Sequence, residues 1–437
     1  MTDSKPNKTT LKNGLRVLTT THNDTKTAAV FVLVATGSKH ETKEQSGISH
    51  FLEHMFFKGT KRRPTLLAVT EPIDRVGGEF NAFTSYDYTG YHIKVEYDDI
   101  GLALDIVSDI FFNSIFPEKE IVKEKGVVIQ EINIYRDNPM RRAEDLWQEL
   151  LYGDQPAGRL VTGTKETVSS LSREDLLSYM RSQYVSSHTV VSVAGRIDAS
   201  TVTKKIATLF STIKQNGFRE KQNVVERQLK PGSLCGYKET DQTRLMLGVR
   251  GYNLFDKRRF AKDMLAMILG GMFSSRLFME IRDHLGLAYD IRTGSQSDPD
   301  TGYLVSAAGV PHGKVEQTIR AILKEYKKLT LQKVSANELK KAQEHFKGTM
   351  ALGLEASDAK ASFFGMQELL ERRVLTPEQI YAKMKEITPE YLRRVAQDLF
   401  VPSKLNLVAY GPFSAPKGRD LVAGGKEKKQ FEKLLRL

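Results

Sequence analysis

Cysteine is nearly absent from this 437-residue sequence, whose one example is Cys235. A single thiol excludes an internal disulfide and a cluster of thiolate metal ligands. The sequence also lacks any run of roughly 18 apolar residues, so it predicts no membrane-spanning helix. Its first residues, MTDSKPNKTTLKNG, have neither the apolar core of a secretory signal nor the arginine-rich pattern of an organelle transit peptide. We therefore expect a cytoplasmic protein with no membrane partner.

Signatures of nucleic-acid binding are also missing. The formal net charge is +12, but the Lys and Arg residues are dispersed, with modest clusters at 61–63, 257–259 and 426–436. No zinc finger, aromatic RNA-binding pattern or basic leucine zipper accompanies them. The charge therefore indicates a solvated basic surface, and we expect no nucleic acid among the partners.

The chain is longer than one ordinary hydrophobic core supports, so two domains of roughly 200 residues are expected. An internal repeat supports this expectation, because three strand candidates recur at intervals of 216, 212 and 216 residues. The pairs are TAAVFVLVATG from Thr27 with TRLMLGVRG from Thr243, TGYHIKV from Thr89 with TGYLVSA from Thr301, and VVSVAG ending at Gly195 with LNLVAYG ending at Gly411. The sequence thus predicts a duplicated domain.

In each half the strands come early and late, with helices between them, which is typical of an α+β fold with a sheet covered by helices. The helix candidates are 46–58, 98–112, 117–137, 173–183 and 199–212 in the first half, and 257–270, 274–285, 314–328, 336–352, 358–372, 377–386 and 389–399 in the second. The polar stretch 213–233 contains a Pro-Gly pair and predicts a linker. The predicted domains are therefore 1–212 and 234–437.

The segment SGISHFLEHMFFKG, residues 46–59, has the strongest chemical signature. Four apolar residues at helical spacing predict one buried face, namely Ile48, Phe51, Leu52 and Met55. His50 and His54 are four residues apart, so their imidazoles project from the same side, with Glu53 beside them. Two such imidazoles can share one zinc ion at about 2.0–2.1 Å. The alternative is a coincidental pair of surface histidines, but unpaired histidines on an apolar helix would be costly.

A catalytic zinc site usually has three protein ligands and one open position. The segment 117–137, PEKEIVKEKGVVIQEINIYRD, predicts a second helix with Pro117 near its start. Glu124 and Glu131 lie seven residues apart on one stripe of this helix. Either carboxylate could be the third ligand, and the other could support the site by hydrogen bonding.

At HFLEHMFFKGT the sequence resembles the inverzincin metallopeptidases, a group that includes pitrilysin, insulin-degrading enzyme and mitochondrial processing peptidase. It is most similar to the compact processing-peptidase-like branch, which has bacterial members. The similarity runs nearly end to end. The matching stretches include residues 77–95, 127–139, 149–168, 190–195 and 270–291.

This resemblance implies that His50, His54 and Glu131 bind one zinc ion (Zn2+) per chain. It also implies that Glu53 is the general base and that Glu124 is a supporting carboxylate of the catalytic site. The second half contains no H-x-x-E-H string. We therefore expect the second half to have the same fold without the metal.

The resemblance further assigns an edge strand that pairs with the substrate backbone. Its residues in this sequence are Asn81, Ala82, Phe83 and Thr84. Pairing of this kind reads the main chain, so it would accept many peptide sequences. The alternative is an ordinary internal strand.

Arg282 and Tyr289, seven residues apart, match a pair that binds substrate and assists catalysis in the family. The alternative is a surface ion pair and a packed aromatic ring. Two other positions depart from the family pattern. His188 stands where related sequences commonly have asparagine, and Pro72 interrupts TLLAVTEPIDRVGG, where it should kink a helix or end it early.

Taken together, the resemblance implies a zinc-dependent endopeptidase that hydrolyses unfolded peptides or short polypeptides. The implied fold is α+β, with two homologous domains, each a mostly antiparallel sheet covered by helices, forming one half of a clam-shell chamber. We expect a homodimer whose active site is composed across subunits. The alternative is a non-catalytic subunit, or one that depends on a different partner chain.

Overall fold

The computed structural model describes residues 5–215, 217–413, 421–422 and 426–436. The chain forms two compact units, each assembled from three separate stretches of sequence. Unit 1 comprises Met1–Ile132, Arg159–Gln222 and Thr349–Glu378, and unit 2 comprises Asn133–Gly158, Asn223–Gly348 and Gln379–Leu437.

The described strands form one six-stranded sheet in each unit. The strands are β1 (Asn7–Thr10), β2 (Arg16–Thr21), β3 (Thr27–Val34), β4 (Glu79–Thr84), β5 (Thr89–Glu96), β6 (Thr189–Gly195), β7 (Gly232–Tyr237), β8 (Thr243–Arg250), β9 (Ile291–Ser297), β10 (Gly302–Val310), β11 (Leu405–Gly411) and β12 (Leu421–Val422).

Helices make up most of the remaining described structure. They are α1 (Ile48–Phe56), α2 (Leu66–Arg75), α3 (Ile100–Asn113), α4 (Glu118–Asp137), α5 (Pro139–Tyr152), α6 (Lys165–Ser170), α7 (Arg173–Gln183), α8 (Ala199–Leu209), α9 (Arg259–Gly270), α10 (Val315–Leu331), α11 (Ala336–Gly353), α12 (Ser357–Glu371), α13 (Pro377–Lys385), α14 (Pro389–Leu399) and α15 (Lys426–Leu434), with a π-helical segment at Phe278–His284. In the part of the chain that the structure describes, none of these helices combines the length and the apolar character that a bilayer crossing requires.

The two sheets have the same strand arrangement. The first has the order β1-β2-β6-β3-β5-β4 and the second the order β12-β7-β11-β8-β10-β9. Within each sheet all neighbours are antiparallel except one parallel pair, β2 with β6 and β7 with β11. The three strand pairs of the predicted repeat occupy equivalent positions. The expected fold class, two domains of mostly antiparallel sheet covered by helices, is confirmed.

Both faces of the first sheet are covered. Strand β3 is apolar and buried from Ala28 to Val34, as expected when neither face of a strand meets water. Val30 and Val32 pack in a cluster with α1, α3 and α8. Phe31 and Leu33, on the opposite face, pack against α12. Unit 1 is therefore a sheet between a layer of several helices and a single outer helix.

Unit 2 repeats this three-layer construction. Leu245 and Leu247 of β8 pack in a cluster with α9, α10 and α14. Met246, between them in sequence, faces the opposite way and packs in a cluster with Trp147 of α5. Helix α5 is thus the single outer helix of the second sheet.

The outer helices are exchanged between the halves of the sequence. Helix α12 comes from the second half but covers the first sheet, and α5 comes from the first half but covers the second. The division between the units inside the predicted linker falls after Gln222. No helix or strand lies among the described residues of 213–231. The division into domains 1–212 and 234–437 stays a prediction, and the compact units differ from it by the exchanged segments.

The two departures from the family pattern have local explanations in unit 1. Helix α2 is not ended by Pro72 but continues to Arg75. Proline lacks the N–H that would bond four residues back, and burial of Val69 and Ile73 holds the helix instead. The His188 ring stacks on the ring of Phe218, nearly parallel to it at an interplanar angle of 3°.

Candidate metal centre

Helix α1 begins beside a buried carboxylate. Glu41 accepts hydrogen bonds from the backbone N–H groups of Gly47, at 2.7 Å, and Ser49, at 2.9 Å. The first N–H groups of a helix lack partners within the helix, so an acceptor there stabilises its start. Gly47 has φ 94°, and a Cβ at this residue would lie 2.7 Å from the carbonyl oxygen of Thr162. Burial raises the pKa of Glu41 to about 7, although both hydrogen bonds act in the opposite direction.

Helices α1 and α4 bring three potential ligand atoms together. The four apolar residues predicted for the inner face of α1 are buried, which leaves its histidines on the side towards α4. The Nε2 atoms of His50 and His54 lie 3.3 Å apart. Oε2 of Glu131, on α4, lies 3.5 Å from each of them. Among the described residues, this is the one group of three or more His, Cys, Asp or Glu side chains that could hold a metal ion.

The spacing of this cluster fits a tetrahedral ion. Three ligand atoms bound at about 2.0–2.1 Å with tetrahedral angles would lie about 3.3–3.4 Å apart. The observed separations are 3.3 and 3.5 Å. The His54 and Glu131 side chains are 21% and 23% exposed, so the cluster is open to solvent on one side. The donor set of two imidazoles and one carboxylate suits zinc and leaves a fourth position for water or substrate.

His54 has its own support from α4. Its Nδ1 lies 2.8 Å from Oε1 of Glu124, and the Nζ of Lys58 lies 2.6 Å from Oε2 of the same carboxylate. Burial lowers the pKa of His54, but hydrogen bonds to Glu124 and Glu131 outweigh this and raise it to about 9. For Glu124 burial acts in the other direction and raises the pKa of the carboxyl group, but hydrogen bonds from His54 and Lys58 bring that pKa below its usual value. A carboxylate at Nδ1 leaves Nε2 as the atom that can bind a cation.

Glu53 lies on α1 and contacts the edge of the first sheet. Its Oε2 accepts a hydrogen bond of 2.6 Å from the hydroxyl of Thr84. Residues 81–84 all belong to β4, which is the terminal strand of its sheet and pairs with β5 on one side. The structure therefore places the predicted substrate strand, at its Thr84 end, in direct contact with the predicted general base.

Arg282 and Tyr289 lie together in unit 2. The guanidinium of Arg282 lies 4.7 Å from the ring centroid of Phe278 and 4.8 Å from that of Tyr289. Arg282 belongs to the π-helical segment, and Tyr289 is 75% exposed. Both residues line a cavity of about 530 Å³ in this unit. A cation over two aromatic faces is held in place without losing its hydrogen-bond donors.

Two protein-family models match the chain. The model described as insulinase (peptidase family M16) matches residues 16–165, and the peptidase M16 inactive domain matches residues 170–346. An uncharacterised zinc protease of Bacillus subtilis is 35% identical to this chain, over 90% of this chain and 95% of that protein. The chain is a member of peptidase family M16. The resemblance inferred from the sequence is thereby confirmed.

Other relatives of this M16 chain have similar coverage. A zinc protease of Rickettsia felis is 34% identical over 89% of this chain and 94% of its own length. Among solved structures, a protease from Helicobacter pylori has a TM-score of 0.88 at 24% identity, over 93% of this chain and 99% of that one. A peptidase M16 inactive domain from Pseudomonas fluorescens has a TM-score of 0.86 at 17% identity, over 95% and 99%. At these identities the structural likeness shows the fold alone.

Sequence reasoning did not find two residues that support this site in the M16 chain, Glu41 at the start of α1 and Lys58 beside Glu124. Glu41 was overlooked because its hydrogen bonds go to a helix that begins several residues later. Lys58 lies two residues after the end of the H-x-x-E-H helix, but its partner Glu124 is far away in sequence. Glu41 lies in the polar stretch KHETKEQS, which gives no signal of burial. Lys58 gave one, as a charged side chain after three apolar residues. Such side chains need a partner when they are buried.

Proposed function

We propose that this chain is a zinc-dependent endopeptidase that binds one zinc ion through His50, His54 and Glu131. The observation that carries the proposal is the spacing of these three ligand atoms, with Glu53 on the same helix as both histidines. The relatives from Bacillus subtilis and Rickettsia felis are named as zinc proteases, which supports the same chemistry. No other donor group is required, because three protein ligands leave the open position that catalysis needs.

Zinc, when bound, would polarise the scissile carbonyl and make a water molecule more acidic. Glu53 accepts a proton from the attacking water and passes it to the leaving amine. The hydroxyl of Thr84 holds Oε2 of Glu53, so the other carboxylate oxygen takes the proton. Glu124 keeps the His54 ring oriented through its hydrogen bond to Nδ1.

The substrate class follows from the free edge of the first sheet. A peptide that adds to β4 as a further strand pairs through its main chain, and this places its scissile bond beside Glu53. Folded proteins do not offer an extended segment of this kind. We therefore propose unfolded peptides or short polypeptides as substrates, cut inside a chamber of the kind that the family resemblance implies. Equal cleavage of a folded domain and its denatured form would refute this.

The proposed assembly is a homodimer. Arg282 and Tyr289 hold the substrate carbonyl or stabilise the charge that develops on it. Each chain has one set of proposed zinc ligands, in unit 1, and one Arg282–Tyr289 pair, in unit 2. In a two-fold dimer each subunit then supplies the pair to the other subunit's zinc.

The decisive experiment exchanges the general base. Glu53→Gln keeps the shape of the side chain and an oxygen that can accept from Thr84, so the fold and zinc binding should persist. Peptide hydrolysis should fall by about 10²–10⁴-fold, the usual worth of general-base assistance. The control is Glu71→Gln, at an exposed ion pair on α2, which should hydrolyse peptides like the parent. Near-normal turnover by Glu53→Gln would sink the mechanism.

A further inference from the structure

Lys58 follows the end of α1 on a turn that the backbone fixes. Gly59 has φ 127°, and a Cβ at this residue would lie 2.6 Å from the carbonyl oxygen of Pro64. The N–H of Lys58 donates to the carbonyl of Met55, and the N–H of Ile115 donates to the carbonyl of Gly59. The chain therefore turns sharply after the histidine helix. This turn directs the Lys58 side chain back towards α4.

The ammonium group of Lys58 reaches the carboxylate that supports His54. Lys58 Nζ lies 2.6 Å from Oε2 of Glu124, while Oε1 of Glu124 lies 2.8 Å from Nδ1 of His54. The Glu124 side chain is 5% exposed and that of Lys58 is 18% exposed. Each carboxylate oxygen thus has its own charged or polar partner. A carboxylate held at both oxygens cannot rotate, whereas one held at a single oxygen can.

The other histidine lacks this kind of support. Nδ1 of His50 is buried, and among the described residues it has no hydrogen-bond partner. Of the two Nδ1 atoms, only that of His54 is therefore held by a side chain, the Glu124 carboxylate. Loss of a hydrogen bond to a metal-binding histidine commonly lowers the affinity of a site for its metal by about 10–100-fold.

We propose that Lys58 is a positioning residue for the metal centre, acting through Glu124 to hold the His54 imidazole with Nε2 towards His50 and Glu131. This inference rests on the proposed zinc site. It adds a residue whose ammonium group contacts Glu124, which is not one of the three proposed ligands. Removing the ammonium leaves a buried carboxylate with one partner, and such a group either turns or takes up water. Either change loosens the His54 ring.

The experiment measures zinc affinity directly, by competition with a chelator of known affinity, alongside thermal unfolding of the zinc-free chain. Lys58→Met should weaken zinc binding by about 10–100-fold. Lys58→Arg, which restores a charged donor, should recover most of that loss. The matched control is Lys123→Met, which removes an exposed lysine paired with Glu120 on α4 and should bind zinc like the parent.

A double-mutant comparison separates positioning from general destabilisation. If Lys58 acts through Glu124, then Lys58→Met should cost little further affinity in a Glu124→Gln background, because the coupling is already lost. Equal losses in both backgrounds, or no loss from Lys58→Met alone, would overturn the proposal. If Lys58→Met does not fold, Lys58→Gln takes its place under the same criteria. Absence of zinc uptake by the parent chain would instead refute the proposed function.

Discussion

Substituting Phe364 by alanine tests whether the outer helix α12 is part of the first sheet's core. The Phe364 side chain is 2% exposed and packs in a cluster with Phe31 and Leu33 of β3. Removing a buried phenylalanine side chain costs about 3–5 kcal/mol, from lost burial and from the cavity left behind. The strands beneath it are held by ladders on both sides and cannot collapse into the space. Partly buried neighbours on α12 can move, so we expect a loss near the lower limit, about 3 kcal/mol.

Native-state hydrogen exchange can measure this loss sheet by sheet. Amides of β3 and β6 exchange through opening of the first sheet, and those of β8 and β11 report on the second. A loss of about 3 kcal/mol should speed exchange in β3 and β6 by about 100-fold and leave β8 and β11 unchanged. Phe255→Ala, at a phenylalanine that is 61% exposed, should change neither sheet by more than about 0.5 kcal/mol. Equal loss in both sheets, or less than about 1 kcal/mol in the first, would refute the assignment of α12 to unit 1.

Three further predictions concern the site and its surroundings. Zinc affinity should fall further for Glu131→Gln than for Glu124→Gln, because only the first removes a proposed ligand; metal titration showing the reverse order would exchange their roles. Glu53→Gln and Tyr289→Phe chains, each nearly inactive alone, should regain peptidase activity after subunit exchange, since a mixed dimer has one site with both groups intact; no recovery despite demonstrated exchange would place the whole site in one chain. Burial and a neighbouring lysine lower the pKa of His40 to about 4, whereas an unfolded histidine titrates near 6.5. Acidification from pH 7 to 5 protonates only the unfolded form, so this group should cost on the order of 1–2 kcal/mol of unfolding free energy. Urea titrations at pH 7 and pH 5 should therefore show a smaller loss of unfolding free energy for His40→Gln than for the parent chain. The same loss in both chains would contradict the buried, neutral state of His40.

Part of the candidate metal centre could be anticipated because the geometry of its two histidines is local. Residues four apart on a helix face the same way whatever the rest of the fold does, so His50 and His54 could be paired from the sequence alone. The choice between Glu124 and Glu131 could not be made that way, because both lie on one stripe of α4. The family resemblance favoured Glu131, and the structure places Glu131 within 3.5 Å of both histidines.

The outer helices could not be assigned from local pattern. Helix α5 has an Asn138 cap and Pro139 at its first position, which are ordinary start signals, yet it was not among the predicted helices. Its packing partner, the second sheet, lies much later in the chain. One signal was available in β3, whose Phe31 and Leu33 are as apolar as their neighbours on the other face. A strand with two apolar faces requires cover on both.

An early end of α2 at Pro72, one of the two outcomes expected, is contradicted because the sequence does not reveal how much burial a helix gains. A proline inside a short helix removes one hydrogen bond, but α2 keeps a buried anchor on each side of Pro72, namely Val69 and Ile73. The contacts of Glu41 and of Lys58 were beyond prediction for a related reason. Glu41 contacts the backbone of a helix start later in the chain, and Lys58 contacts the side chain of the distant Glu124. Periodicity contains no information about either contact.

Translation reaches the outer helix of the first sheet late. The ribosome releases the strands of that sheet early, but Phe31 and Leu33 wait for residues 357–371 before their face is covered. A nascent chain therefore exposes an apolar surface while most of the second half is being synthesised. Such a surface is one to which chaperones bind. The same threading means that a protease cut between residues 213 and 231 would break the backbone without freeing either sheet. Each fragment would still contain the helix that the other fragment's sheet needs, so a gene split at that point would encode two polypeptides that must meet in order to fold.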